Sequence, residues 1–250
     1  MNRTAVQIYE IQEPQEAEKL IELGVDRLGS VILENEDWKV PSIRETIRKT
    51  EGTSVKSSLI PLFNTPGTIF RVIEYYKPDI IHFCETLTNE YGEKIVYHDL
   101  IDLQSAIKEK FPAIEIMRSV PIAVTGKGDR VPTLEIAGDF EPSSDYFLTD
   151  TWLGKEPVEG FIGITGRTCD WNVAQKLVSS SLIPVFLAGG ISPENVHEAI
   201  GSVDPFGVDS CTNTNAVDSN GIPIRFKKDL GKVARLIDGT RRADLNRPML

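Results

Sequence analysis

The feature that most constrains this chain is an alternation that occurs eight times: a short apolar run, then a longer stretch with helical periodicity. The runs read "AVQIYEI", "DRLGSVIL", "VKSSLIPLF", "DIIHFC", "IEIMRSV", "DYFLTD", "IPVFLAGG" and "PFGVDS". They are largely continuous rather than alternating, as expected for parallel strands covered by helices. Between them, apolar residues recur on one helical face, for example Ala17, Leu20 and Ile21, or Leu100, Leu103 and Ile107. Eight strand–helix units in 250 residues predict an α/β fold, a closed (β/α)8 barrel of TIM type in a single domain. A doubly wound open sheet is the alternative. It would carry a glycine-rich turn after its first strand, and "YEIQEP" has no glycine. The barrel is expected over residues 1–240, with 241–250 as a surface extension beyond the last helix.

In such a barrel, function resides where strands run into their following loops. The seventh run ends in "AGGISPENV". Gly189 and Gly190 can take positive φ and leave no Cβ in a ligand's way. Ser192 then suits an N-cap and Pro193 the first helical position, so the helix start is expected to present N–H groups to an anion. The loop after the sixth run, "GFIGITGRTCDWN", adds Thr165, Gly166, Arg167 and Thr168 beside it. Loops after the last strands of a TIM barrel commonly hold phosphate, so a phosphorylated small molecule is the expected ligand. An ordinary strand-to-helix turn that merely needs glycine is the alternative.

Four carboxylates end strands: Glu10, Glu85, Asp150 and Asp209. Asp150 suits general acid/base work or an N-cap, and Asp209 is expected to be structural or a substrate contact. Convergence of all four would raise some of their pKa values and could gather a divalent cation. Adjacent strand residues point to opposite faces, however, and no metal site is expected. Arg118 could meet an anionic substrate or pair with a rim carboxylate. Cys84 and Cys211 are thiols at strand ends, and His82 is read as a lone structural histidine.

Composition removes whole classes. A net charge of −10 argues against a nucleic-acid binder. The three cysteines, Cys84, Cys169 and Cys211, form neither a CxxC site nor a disulfide framework. The N-terminal stretch has no apolar signal-peptide core, and no run approaches the ~20 residues of a membrane span. A cytoplasmic monomer or homodimer with no cofactor and no membrane contact is expected.

The motifs together resemble those of the phosphoribosylanthranilate isomerase family of tryptophan biosynthesis. "YFLTDT" resembles the family's sixth strand, "GITGRTCDWN" its G-x-[ST]-G-[KR]-T-x-D-W loop, and "LAGGISPENV" its GG-x-x-PENV turn. The resemblance implies an Amadori rearrangement of an aminoaldose to an aminoketose. It assigns the general acid to Asp150 and the phosphate to Thr165, Gly166, Gly189 and Gly190, with Asp209, Cys211 and Thr212 beside them. The departures lie opposite. Tyr9 stands where the family has its basic cysteine, and Glu10 where it has glycine. Ile164 replaces a usual glycine, and Asn213 stands where strand 8 continues to a glycine. "HFCET" replaces Q-L-H-G, and "LENEDWKVPS" lacks the arginine that holds the anthranilate end. A phenol is a poor base near neutrality, so Glu10 or Glu85 is the expected substitute, with Arg118, Cys84 and Glu85 as candidate substrate contacts. The readings are therefore an isomerase with a replaced base, a barrel enzyme for another phosphorylated substrate, or a non-catalytic phospholigand binder.

Overall fold

The computed structural model describes residues 3–246. Eight strands close into a barrel in sequence order: β1 (Ala5–Ile8), β2 (Arg27–Ile32), β3 (Lys56–Pro61), β4 (Ile80–Phe83), β5 (Glu115–Ala123), β6 (Tyr146–Trp152), β7 (Val185–Leu187) and β8 (Gly207–Ser210). Every neighbouring pair is parallel, and β8 returns to β1 with Gln7 opposite Asp209. The helices α1 (Pro14–Leu23), α2 (Pro41–Arg48), α3 (Pro66–Tyr76), α4 (His98–Lys110), α5 (Thr133–Phe140), α6 (Trp171–Ser180) and α7 (Val196–Val203) follow the first seven strands in turn. The (β/α)8 expectation is therefore met.

Local chemistry explains where the helices begin. Proline opens α1, α2 and α3, at positions where its missing N–H costs nothing. Asp170 caps α6 by accepting from the N–H groups of Asn172 and Val173.

Two differences from the sequence reading concern the end of the chain. The polar stretch after β8 contains a hairpin, β9 (Asn215–Val217) and β10 (Pro223–Lys228), before α8 (Leu230–Asn246). The last helix therefore runs on through 240–246, into the segment expected as an extension. Ala243 is buried, and Asp244 accepts from both the N–H and the hydroxyl of Thr4. The helix continues because it closes the base of the barrel there. Residues 247–250 of that expectation lie outside the described residues.

Most of the core lies between strands and helices, in three apolar clusters. The barrel interior holds a fourth, with Tyr9, Val31, Ile80, Met117, Leu148, Phe186 and Ala188. Tyr9 fits because β2 carries Gly29 beside it. A Cβ at Gly29 would sit 2.0 Å from the Tyr9 ring, so the bulk on β1 is matched by an absence of bulk on β2.

Candidate active site

A cavity opens at the C-terminal ends of the strands. Its floor is the top of the barrel interior, with Tyr9, His82, Leu148, Asp150 and Asp209. One wall is apolar, from Val31, Ile60 and Leu62, with Val158, Phe161 and Ile162 from the loop after β6. That loop crosses to β4, where the Ile162 N–H donates to the Cys84 carbonyl at 2.8 Å and the Thr86 N–H to the Gly160 carbonyl at 2.9 Å. The opposite wall is Ile164, Thr165, Gly166, Gly189, Gly190, Cys211, Thr212 and Asn213. The loops after β6, β7 and β8 thus meet at one side of one cavity, as the motifs imply.

The two glycines, which line the cavity as expected, also do a second job. Gly189 and Gly190 do adopt positive φ, of 86° and 68°. Yet a Cβ on Gly189 would strike the Thr151 hydroxyl at 2.3 Å, and one on Gly190 the Arg167–Thr168 backbone at 2.6 Å. They are bare so that the loop after β6 can lie against them. The helix start also differs, because α7 begins at Val196 rather than at Pro193. Asn195, which the sequence reading passed over, explains it. Its amide donates to the Gly190 carbonyl at 2.9 Å, and its side-chain oxygen accepts from the Ser192 N–H at 2.8 Å. A polar side chain three residues beyond a serine, reaching back to its N–H, is the arrangement of a capping box.

The missing family glycines are handled in two ways. Glu10 and Ile164 keep the left-handed backbone, at φ 65° and 60°, although both carry side chains. Such strain costs roughly 1–2 kcal/mol per residue, more for a β-branched one. Asn213 needs no positive φ, because it lies inside a single 3₁₀ turn, Thr212–Thr214.

The four rim carboxylates separate. Glu85 leaves the cavity: one oxygen accepts from Arg118 at 2.6 Å, and Arg118 is wholly buried between barrel and helices. There Arg118 also donates to Gln104 of α4 at 2.7 Å and stacks on Phe140 of α5 at 4.6 Å. Of the alternatives open for Arg118, the pairing with a carboxylate is the one present, and neither residue lines the cavity. Glu10 does line it, but Arg225 of β10 donates twice to one of its oxygens, at 2.8 and 2.5 Å. Arg225 thereby ties the hairpin to the end of β1. Its replacement by alanine leaves a buried carboxylate unpaired, which costs roughly 1–3 kcal/mol. Arg225→Ala is therefore expected to lower the melting temperature by several degrees and to speed proteolytic cleavage near residue 220. An unchanged melting curve would show that the ion pair does not hold the hairpin.

Asp150 and Asp209 remain in the cavity. Burial, and then the charge of Asp209, raises the Asp150 carboxyl to about 7. Burial likewise raises Asp209 to about 7, although Gln7 donates to it at 3.1 Å. Gly163 lets the loop after β6 approach, since a Cβ there would stand 2.7 Å from the Asp150 Oδ2.

Beneath Asp150 runs a buried chain of hydrogen bonds. The Tyr9 hydroxyl lies 2.5 Å from Ser58 Oγ and 2.6 Å from His82 Nδ1; His82 Nε2 lies 2.9 Å from Ser119 Oγ; and Ser119 donates to Asp150 Oδ2 at 3.5 Å. Burial lowers His82 to about 3, so the ring is neutral. When Asp150 is ionised it accepts only. Ser119 must therefore donate to it, His82 Nε2–H to Ser119, and Tyr9 to His82. His82 thus lies within the site as a neutral link between Tyr9 and Ser119. Burial pushes the Tyr9 phenol well above its ordinary value, so it supplies no base near neutrality. The thiols are no substitute. Burial raises Cys84 and Cys211, and lifts Cys169, which packs under Gly189, to about 12.

The fold and site define a (β/α)8 barrel with its working cavity at the C-terminal mouth, built around two carboxyls that titrate near neutrality. Residues 105–238 match the family model of N-(5'-phosphoribosyl)anthranilate isomerase. An N-(5'-phosphoribosyl)anthranilate isomerase of Methanocella arvoryzae is 33% identical over 187 residues, which cover 75% of this chain and 73% of that protein. The crystal structure of phosphoribosylanthranilate isomerase from Thermotoga maritima shares the fold, with a TM-score of 0.70 at 23% identity over 96% of this chain and 99% of that one. A phosphoribosylanthranilate isomerase solved with reduced 1-(o-carboxyphenylamino)-1-deoxyribulose 5-phosphate superposes with a TM-score of 0.67 at 21% identity, covering 96% and 99%. The chain belongs to the N-(5'-phosphoribosyl)anthranilate isomerase family. Among the described residues no helix is long and apolar enough to cross a membrane.

Proposed function

We propose that the protein isomerises a phosphorylated N-substituted ribosylamine to the corresponding 1-amino-1-deoxyketose, with phosphoribosylanthranilate as the first substrate to test. The observation that carries this reading is Asp150, a carboxyl raised to about 7 at the cavity floor, facing the glycine-lined loops. A carboxyl that is still partly protonated near neutrality can give its proton to the furanose ring oxygen. The C1–O bond then breaks, and the nitrogen lone pair forms the C1=N iminium. Removal of the C2 proton moves that electron pair into C1=C2 and returns the iminium pair to nitrogen. Ketonisation at C2 with protonation at C1 completes the shift, so C1 is reduced as C2 is oxidised and no external oxidant is needed. Thr165, Gly166, Gly190 and Thr212 are the proposed phosphate wall, and the apolar wall suits an aromatic N-substituent. Expression of the protein is expected to restore growth of a tryptophan auxotroph that lacks the isomerase. Failure of well-expressed protein to do so would refute this substrate.

One observation favours a second reading of the substituent. Among the described residues that line the cavity there is no lysine or arginine, while Glu10, Asp150 and Asp209 all do. A carboxylate on the aromatic ring meets no cation there, so an uncharged N-aryl or N-alkyl group fits better. At least a tenfold higher kcat/KM for the aniline analogue than for the anthranilate compound would establish it. The reverse preference would dismiss it.

A further inference from the structure

The reaction proposed above needs a base for the C2 proton, and this chain lacks the residue that the family resemblance supplies. We infer that Asp209, at the end of β8, is that base. This rests on the isomerase reading and goes beyond it, since every other candidate is engaged. Tyr9 is held in the buried chain with Ser58 and His82, its ring packed on Gly29. Glu10 has one oxygen clamped by Arg225 and the other buried out of reach of a ligand, and Glu85 lies behind the barrel with Arg118. Asp209 lines the same cavity as Asp150. Gln7 donates to its Oδ1 at 3.1 Å, which anchors that oxygen. Its Oδ2 accepts no hydrogen bond among the described residues and is not sealed from the cavity. One oxygen is thus anchored and the other is free for a substrate proton.

The charges around Asp209 fit this division of labour. Lys228 of β10, 6% exposed, favours its anion, and its own Nζ donates to the Cys211 carbonyl and to Asn215. Asp150 of β6 and the Tyr9 phenol of β1 lie within its electrostatic reach. Two nearby carboxyls cannot easily both ionise, so the pair favours one proton held between them. That state is the working one, with Asp150 protonated as acid and Asp209 ionised as base. In the reaction Asp150 gives its proton to the ring oxygen and Asp209 Oδ2 takes one from C2. The proton on Asp209 then passes to C1 or to water as the enolamine ketonises.

The test compares wild type, Asp209→Asn, Asp209→Gly and Tyr9→Phe with phosphoribosylanthranilate and its aniline analogue. Asp209→Asn is expected to lower kcat at least 100-fold while KM stays within about threefold. Formate is expected to restore tenfold or more of the activity lost in Asp209→Gly, which a merely structural residue would not allow. Tyr9→Phe, which breaks the hydrogen-bonded chain only, is expected to lose no more than about tenfold. Turnover by Asp209→Asn within tenfold of wild type, or absence of formate rescue in folded Asp209→Gly, overturns the assignment and leaves the isomerase reading standing. Absence of turnover by the wild-type protein on either substrate overturns that reading and this assignment together.

Discussion

Asp150→Asn is expected to lower kcat by roughly 10²–10⁴-fold, the range removed with a positioned acid or base, and to leave KM nearly unchanged. The same variant is expected to melt a few degrees higher than wild type at pH 8. The sign follows from the raised carboxyl. In the unfolded chain Asp150 has its ordinary value near 3.9, while the folded cavity holds it at about 7. The folded state therefore keeps a proton that the unfolded chain releases between about pH 4 and 7. Stability falls as pH rises through that window, and the full penalty remains above it. Asparagine carries no charge to bury, so it removes the penalty. At pH 4 the gain in melting temperature is expected to vanish. Steady-state kinetics and thermal unfolding at the two pH values check this. A variant that is inactive and less stable at pH 8 would point to a structural role. The rate of the wild-type protein on the proposed substrate is expected to peak in a narrow bell near pH 7. Rising pH deprotonates the acid, falling pH protonates the base, and both groups lie at about 7. The two limbs belong to the coupled pair, Asp150 and Asp209.

Gly29→Ala is expected to destabilise the barrel interior strongly. Its Cβ would lie 2.0 Å from the Tyr9 ring, whose hydroxyl is held by Ser58 and His82. Overpacking of a closed interior costs about 1–3 kcal/mol and more when the neighbour cannot move. Tyr9→Ala removes a buried ring and is expected to cost roughly 3–5 kcal/mol. The double variant is expected to be less destabilised than the sum, by at least about 1 kcal/mol, because the methyl then enters space the ring has left. Denaturant unfolding of the four proteins measures this coupling. Additive losses would show that ring and glycine are not a matched pair. The pairing also bears on attempts to restore the family's cysteine. Tyr9→Cys by itself opens a void over β2 and breaks the chain to Asp150, whereas Tyr9→Cys with Gly29→Ala fills part of that space.

Much of the site was legible in the sequence because motif residues adjoin one another along the chain. "GITGRT" and "LAGGISPENV" bring their own turn chemistry, and their loops meet wherever β6 and β7 are neighbours. What remained hidden depended on partners far away in sequence. Glu10 and Glu85 look alike as strand-end carboxylates. Arg225, 215 residues beyond Glu10, clamps the first, and Arg118, 33 residues beyond Glu85, draws the second behind the barrel. In sequence Asp209 reads as structural or a substrate contact, because nothing next to it shows that Gln7 holds one of its oxygens or that it shares the cavity with Asp150.

The sequence by itself determined the barrel, through eight apolar runs of strand length at near-regular spacing, and the side of the mouth where loop motifs gather. Those are properties of short stretches, set by periodicity and turn preference, and they survive without knowledge of distant residues. Only the tertiary structure decided which carboxyls face the cavity and how the barrel makes room for Tyr9. Each of those depends on burial and on partners from other strands, and a desolvated charge is defined by what surrounds it in space.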